Sequence, residues 1–104
     1  MFKNNFISIL ITNYNKEHFL KKSLKSACKQ NFKNYEIILY DDCSSDNSLK
    51  IIKKFKKIKL IKNLRRKNKS GPHNQIIGIL QAFKKSKGNI ICLMDSDDYF
   101  AKNK

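Results

Sequence analysis

The chain has 104 residues, 40% of them apolar, and carries 23 lysines and arginines against eight acids, for a formal charge of +15. That length holds one core and no second domain, while seven Phe and four Tyr supply enough apolar bulk to argue against intrinsic disorder. No stretch approaches the ~18 to 20 apolar residues of a membrane-spanning helix, and Phe6 to Thr12 is too short for the apolar region of a signal peptide, so the expected location is the cytoplasm.

The first apolar run, "FISILIT" at 6–12, is nearly unbroken, which suits a strand covered on both faces. In "KEHFLKKSLKSACKQ" the residues Phe19, Leu20, Ser23, Leu24, Ala27 and Cys28 form one stripe of an amphipathic helix, with lysines opposite. "YEIILY" at 35–40 predicts the second strand. Asp46 to Lys57 then places Leu49, Ile52 and Phe55 on one side of a second helix, with Ser44 or Ser45 suited to cap it. "IKLI" at 58–61 predicts a third strand and leads into the basic loop Lys62 to Gly71. A third helix follows from about Pro72 to Lys85, with Ile76, Ile77, Leu80 and Phe83 as its apolar side. Pro72 favours its first turn and Gly88 ends it, before the fourth strand, "NIICLM" at 89–94. The order β-α-β-α-β-α-β, with short connections and right-handed crossovers, predicts a doubly wound α/β sheet of four mostly parallel strands flanked by three helices. Such sheets bind ligands beyond the carboxyl ends of their strands.

The charge invites a nucleic-acid reading, because lysines that neutralise phosphates release counterions. Against it, 21 of the 23 basic residues are Lys and only Arg65 and Arg66 are the forked donors suited to phosphate and base contacts. The lysines spread over every helix and are read as solvated faces with weak attraction to anionic headgroups at the inner face of the membrane or to anionic sugar nucleotides. Cys28, Cys43 and Cys92 are odd in number, widely spaced and without metal-knuckle spacing, so they are expected reduced and mostly buried.

Six of the eight acids lie in two short stretches, Asp41, Asp42 and Asp46 in "YDDCSSD" and Asp95, Asp97 and Asp98 in "LMDSDDYF". Each stretch follows an apolar run, which puts both at the ends of strands read as neighbours. Carboxylates held together repel one another unless a cation offsets the charge. Oxygen-rich clusters at strand ends suit Mg2+ or Mn2+, which take one or two carboxylates and leave other positions to water and substrate phosphates. The competing reading is a turn, with Asp98 capping a following helix. No Gly-x-Gly-x-x-Gly and no Gly-Lys-Ser/Thr loop is present, which disfavours dinucleotide and P-loop cradles. Neither His18 nor His73 has a partner placed for a triad, although His73 lies near the start of the third helix.

The segment "ISILITNYNKEHFLKKSLKSACKQNFKNYEIILYDDCSSDNS" resembles the start of a family 2 glycosyltransferase of the GT-A fold, and "KGNIICLMDSDD" resembles its Asp-x-Asp segment. The resemblance implies a Rossmann-like GT-A architecture over residues 1–104, the nucleotide-sugar-binding half of such a domain, stopping just after the metal motif. Thr12 and Tyr14 would line the nucleotide pocket, Tyr14 by stacking on the base. Asp42 would accept from the base imide N–H, with Asp41 beside it, and Asn15 and Ser96 would complete the nucleotide contacts. Asp97 would bind the metal bridging the diphosphate, and Asp95 would face the ribose or the metal waters. Many relatives carry an Arg-Asn pair before a Gly in the third helix. Alignment back from Gly88 puts Leu80 and Ala82 at the Asn and Gly positions, so "GPHNQ" is expected to supply the polar contacts through Asn74.

The resemblance further implies a nucleoside-diphosphate-sugar donor, UDP-linked, and a saccharide or lipid-linked acceptor. The general base is expected beyond Lys104, which makes the chain an incomplete and inactive fragment whose exposed face promotes self-association. A different reading is a basic module for RNA or an anionic membrane, carried by the charge and "RRKNK". A phosphoacceptor receiver domain shares the fold class but needs its acidic pair after the first strand, and here the pair follows the second.

Overall fold

The computed structural model describes residues 5–29, 34–65 and 71–96. Its elements are β1 (Ile7–Asn13), α1 (Glu17–Cys28), β2 (Tyr35–Asp42), α2 (Ser48–Lys53), β3 (Ile58–Asn63), α3 (Gly71–Lys85) and β4 (Ile90–Asp95). All four strands pair in parallel, in the order β3-β2-β1-β4. This is the doubly wound α/β sheet expected from the apolar runs. One expectation about it fails. The two acidic strands, β2 and β4, are not neighbours, because β1 lies between them and pairs with both.

Alternation along the strands sends side chains to two separate cores. Ile9, Ile11, Ile37 and Leu39 pack under Leu20, Leu24 and Ala27 of α1 and Ile52 of α2. Leu10 and Ile38 pack under Ala82 of α3 on the opposite face. The large side chains here are almost fully enclosed, and each contributes roughly 1.5–3 kcal/mol by leaving water. Cys28, Cys43 and Cys92 are free thiols but half-buried rather than buried.

The third helix departs from its expected face. Ile76, Leu80 and Phe83 are 59%, 54% and 53% exposed, and the buried residues are Asn74, Gly78 and Ala82. These recur every four positions, so α3 approaches the sheet along a row of small side chains rather than along its bulky one. A Cβ at Gly78 would stand 2.7 Å from Tyr40 Cδ2 and 3.0 Å from Thr12 Cγ2, which shows how close that approach is.

Gly88 also has a different role from the one expected. Helix α3 stops at Lys85 and Gly88 has no positive φ, so it does not end the helix by left-handed geometry. Its reason is space, since a Cβ would lie 2.5 Å from both the Phe6 carbonyl and Ser8 Oγ. Gly88 N–H donates to Ser8 Oγ at 2.9 Å, and Ser8 in turn donates to Glu36 Oε2 at 2.6 Å. The same carboxylate accepts from Lys87 N–H at 2.7 Å and Lys59 Nζ at 2.8 Å. Burial opposes ionisation of Glu36, but the Lys59, Ser8 and Lys87 donors outweigh it and hold its pKa below the ordinary carboxylate value.

The second helix is shorter than its apolar pattern suggests, starting at Ser48, and neither Ser44 nor Ser45 caps it. Asp46 does so, accepting from Ser48 N–H at 2.9 Å through one oxygen and from Glu17 N–H at 3.1 Å through the other. Glu17 answers by accepting from the Asn47 N–H and side-chain amide. The starts of α1 and α2 are thus capped by each other's acid. Phe55, expected on the helix, packs against the same core from the turn after it.

Two outcomes follow from these contacts. Gly78→Ala should cost about 1–3 kcal/mol and Gly88→Ala more, because Gly88 faces backbone that cannot swing aside; Gly71→Ala, with open space around it, should stay within about 0.5 kcal/mol. Urea midpoints at unchanged slope measure all three. Burial opposes the charge on Asp46, but the Ser48 and Glu17 donors prevail and its pKa lies below the ordinary value. Its ionised form therefore stabilises the fold above the unfolded value of about 3.9 and loses that contribution as pH falls through the lower folded value. Asp46→Asn should be less stable by a few tenths to about 1 kcal/mol near neutral pH, and the gap should close below about pH 4. A gap of constant size across that range would contradict it.

Candidate functional site

The chain leaves β1 toward β2 on one side, while β4 returns to the other side of β1. In parallel sheets the crevice forms at the carboxyl ends where the strand order reverses in this way. Here it is a cleft of about 290 Å³. Thr12, Asn13 and Tyr14 continue out of β1 into it, Tyr40 and Asp42 enter from β2, and Asp95 and Ser96 from β4. Gly71, Pro72, Asn74 and Gln75 at the start of α3 form the opposite wall, and Lys16 stands before α1.

Register explains the convergence. Thr12 pairs with Tyr40 on one side and with Asp95 on the other, so three strand ends arrive level with each other. Asp42 is 6% exposed and accepts from Asn63 Nδ2 at 2.8 Å, which fixes its carboxylate. Asp95 accepts from Gln75 Nε2 at 3.1 Å and from Ser96 N–H at 3.2 Å. Tyr14 lines the cleft and is 37% exposed. Burial first, and then the negative charges of Asp42 and Asp41, push the Tyr40 phenol up, so it stays a protonated donor at neutral pH.

Asn13 has its amide orientation set by chemistry. Its nitrogen donates to Asp41 Oδ1 at 2.8 Å, and a carboxylate can only accept, so Asn13 Oδ1 is an acceptor. That oxygen and Ser96 Oγ are buried with no hydrogen-bond partner among the described residues. The acceptors that line the cleft itself include the carboxylates of Asp42 and Asp95.

Two residues expected in the nucleotide site lie behind it. Asp41 is 1% exposed and accepts from Asn13 Nδ2, from Ser44 Oγ at 2.7 Å and from Ser44 N–H at 3.0 Å. Asn15 takes a left-handed φ of 50° and its Oδ1 accepts from Ser45 N–H at 2.7 Å and Asp46 N–H at 3.2 Å. Both tie the loop after β1 to the loop after β2. Of the other expected residues, the cleft gathers Thr12, Tyr14, Asp42, Asn74, Asp95 and Ser96. Leu80 is exposed and Ala82 packs on the sheet. Asp97, Asp98 and residues 66–70 lie outside the described residues, and among those described no three His, Cys, Asp or Glu side chains are grouped to hold a metal ion. His18 and His73 are exposed.

Asn13, Lys16 and Tyr40, not among the expected site residues, also line the cleft, and so does Gln75 of "GPHNQ", the segment expected to act through Asn74. Tyr40 was findable by strand alternation from Asp42, and Gln75 by its place beside Asn74 in the first turn of α3. Nothing local distinguishes Lys16 from the chain's other lysines.

Comparison with known proteins agrees with this geometry. A family model described as Glycosyl transferase family 2 matches residues 8–104. The chain is 36% identical over 100 residues to WfgD of Escherichia coli, a UDP-Glc:alpha-D-GlcNAc-diphosphoundecaprenol beta-1,3-glucosyltransferase, covering 94% of this chain and 37% of that one. It is 31% identical over 97 residues to the Staphylococcus aureus poly(ribitol-phosphate) beta-N-acetylglucosaminyltransferase TarS, covering 91% and 17%. The chain thus spans little more than a third of the first relative's length and less of the second's. The crystal structure of TarS 1–349 in complex with UDP-GlcNAc superposes with a TM-score of 0.78 at 28% identity, over 90% of this chain and 27% of that one. A mannosyltransferase from Pyrobaculum calidifontis, in complex with GDP-Man and Mn2+, shares the fold with a TM-score of 0.78 at 15% identity, over 92% and 28%. Among the described residues no helix is long and apolar enough to cross a membrane. With the GT-A α/β sheet, the cleft at its switch point and a family match over nearly its whole length, the chain belongs to glycosyltransferase family 2.

Proposed function

We propose that this chain is the donor-binding portion of a glycosyltransferase and holds a nucleoside-diphosphate sugar, UDP-linked, in the cleft over β1. The observation that carries the reading is the convergence of Tyr14, Asp42 and Asp95 on one acceptor-rich hollow. An exposed tyrosine ring offers a stacking face to a base. The Asp42 carboxylate, which accepts from Asn63 Nδ2, suits an imide N–H, because a carboxylate can only accept and the partner must donate. Asp95, oriented by Gln75, is placed for ribose hydroxyls. The UDP and UDP-GlcNAc complexes of TarS support UDP as the nucleotide.

Carboxylate oxygens suit a hard divalent cation, and Asp95 and Asp97 would be the residues to hold Mg2+ or Mn2+ here. When bound, that ion neutralises charge on the departing diphosphate. Lys16 lines the same cleft and adds a positive side chain to it. The sugar is transferred to a saccharide or lipid-linked acceptor, a class supported by the diphosphoundecaprenol in the name of the Escherichia coli relative.

Calorimetric titration with UDP and Mn2+ tests the reading. Asp42→Asn should weaken UDP binding about 10- to 100-fold, the worth of a hydrogen bond to a charged group. Asp97→Ala should leave binding that no longer responds to Mn2+. Heat that is absent at millimolar UDP, or unchanged in both variants, would refute the assignment.

A further inference from the structure

Among the described residues the lysines spread over the fold but the acids do not. Helices α1 and α2 lie side by side over the core cluster of Ile9, Ile11, Ile37 and Leu39. Along their outward side run Lys21, Lys25 and Lys29, four residues apart, and Lys50, Lys53 and Lys54, three and four apart, all exposed. The acids of this layer are Glu17 and Asp46, and both are spent at the helix starts on N–H groups. Glu36 belongs to the other face, where it is enclosed and paired with Lys59 at 2.8 Å. Asp41, Asp42 and Asp95 are at the cleft or directly behind it. Among the described residues the α1–α2 face therefore has no acid along its lysine rows.

Like charges three and four residues apart on a helix repel and destabilise it, so each row costs the isolated fold something. A plane of negative charge converts that cost into attraction, and the attraction grows with each lysine near the plane. Phe19, 55% exposed at the flank of α1, adds an apolar group at the level where headgroups meet acyl chains. Lysines in rows beside an exposed phenylalanine suit a flat anionic surface better than the forked contacts of base recognition.

We propose that the α1–α2 face is a docking surface for an anionic phospholipid bilayer. The inference stands apart from what the cleft binds. Co-sedimentation of the whole chain with phosphatidylcholine vesicles, with and without phosphatidylglycerol, tests it directly. Binding should require phosphatidylglycerol and disappear between about 0.1 M and about 0.5 M salt. Changing Lys21, Lys25 and Lys53 together to Gln should weaken it about 100-fold, at roughly fivefold per lysine. Changing Lys84, Lys85 and Lys87 to Gln removes equal charge around the end of α3 and should cost less than about tenfold. Thermal melting of both triple variants, expected no lower than the parent, separates lost docking from lost folding. Equal losses in the two variants would reduce the effect to net charge and overturn the proposal, as would binding indifferent to phosphatidylglycerol. Release from the vesicles by a short single-stranded RNA at matched charge would overturn it too, by reassigning the face to nucleic acid.

Discussion

Register along β1 is the constraint on which the rest depends. In a parallel sheet every carboxyl end lies at the same edge, but which side chains face the cleft there is decided residue by residue. Ile9 pairs with Ile37 and Cys92, and Thr12 with Tyr40 and Asp95. Both faces are buried, so a slip of one position would bury polar groups in each core. It would also exchange Asp41 for Asp42 at the cleft. The two apolar clusters thus hold the site in place without touching it.

The second wall depends on how closely a helix can approach that sheet. Bulky side chains on the inner row of α3 would hold it away from β1 and β2, whereas Asn74, Gly78 and Ala82 let its backbone come down onto Thr12 and Tyr40. That descent brings Gln75 to within hydrogen-bonding distance of Asp95. Ile76, Leu80 and Phe83 are left facing outward, and so are Ile90 and Leu93 on β4, which has no strand beyond it among the described residues. The same small row that shapes the cleft therefore leaves the bulky side of α3 exposed.

Much of this was legible in the sequence. Unbroken apolar runs identify strands buried on both faces, and the four strands, three helices and parallel pairing follow from them. The acidic stretches mark the end of the sheet where the cleft opens. What was not legible depends on contacts between distant residues. Apolar periodicity picks out the bulky side of α3, and only the closeness of the sheet shows that the small side is buried. A glycine after a helix reads as a stop signal, and only the positions of Phe6 and Ser8 show that Gly88 is there for space. Six acids in two stretches read as one converging cluster, and only strand order shows that β1 separates them.

That separation changes the argument about charge. Clustered carboxylates demand a cation only where nothing else satisfies them. In the first stretch each acid has protein donors: Asp41 takes Asn13 and Ser44, Asp42 takes Asn63, and Asp46 takes the first N–H groups of two helices. Alternation along β2 assigns two of these roles, since adjacent residues point to opposite faces and only the second of the pair can reach the cleft. No metal is needed to hold this stretch together. The case for a divalent ion therefore rests on the second stretch, where Asp95 accepts from Gln75 Nε2 and Ser96 N–H and lines the cleft. On the reading proposed above, the first stretch organises the loops and would present Asp42 to a base, and the second would meet the diphosphate and its counter-ion.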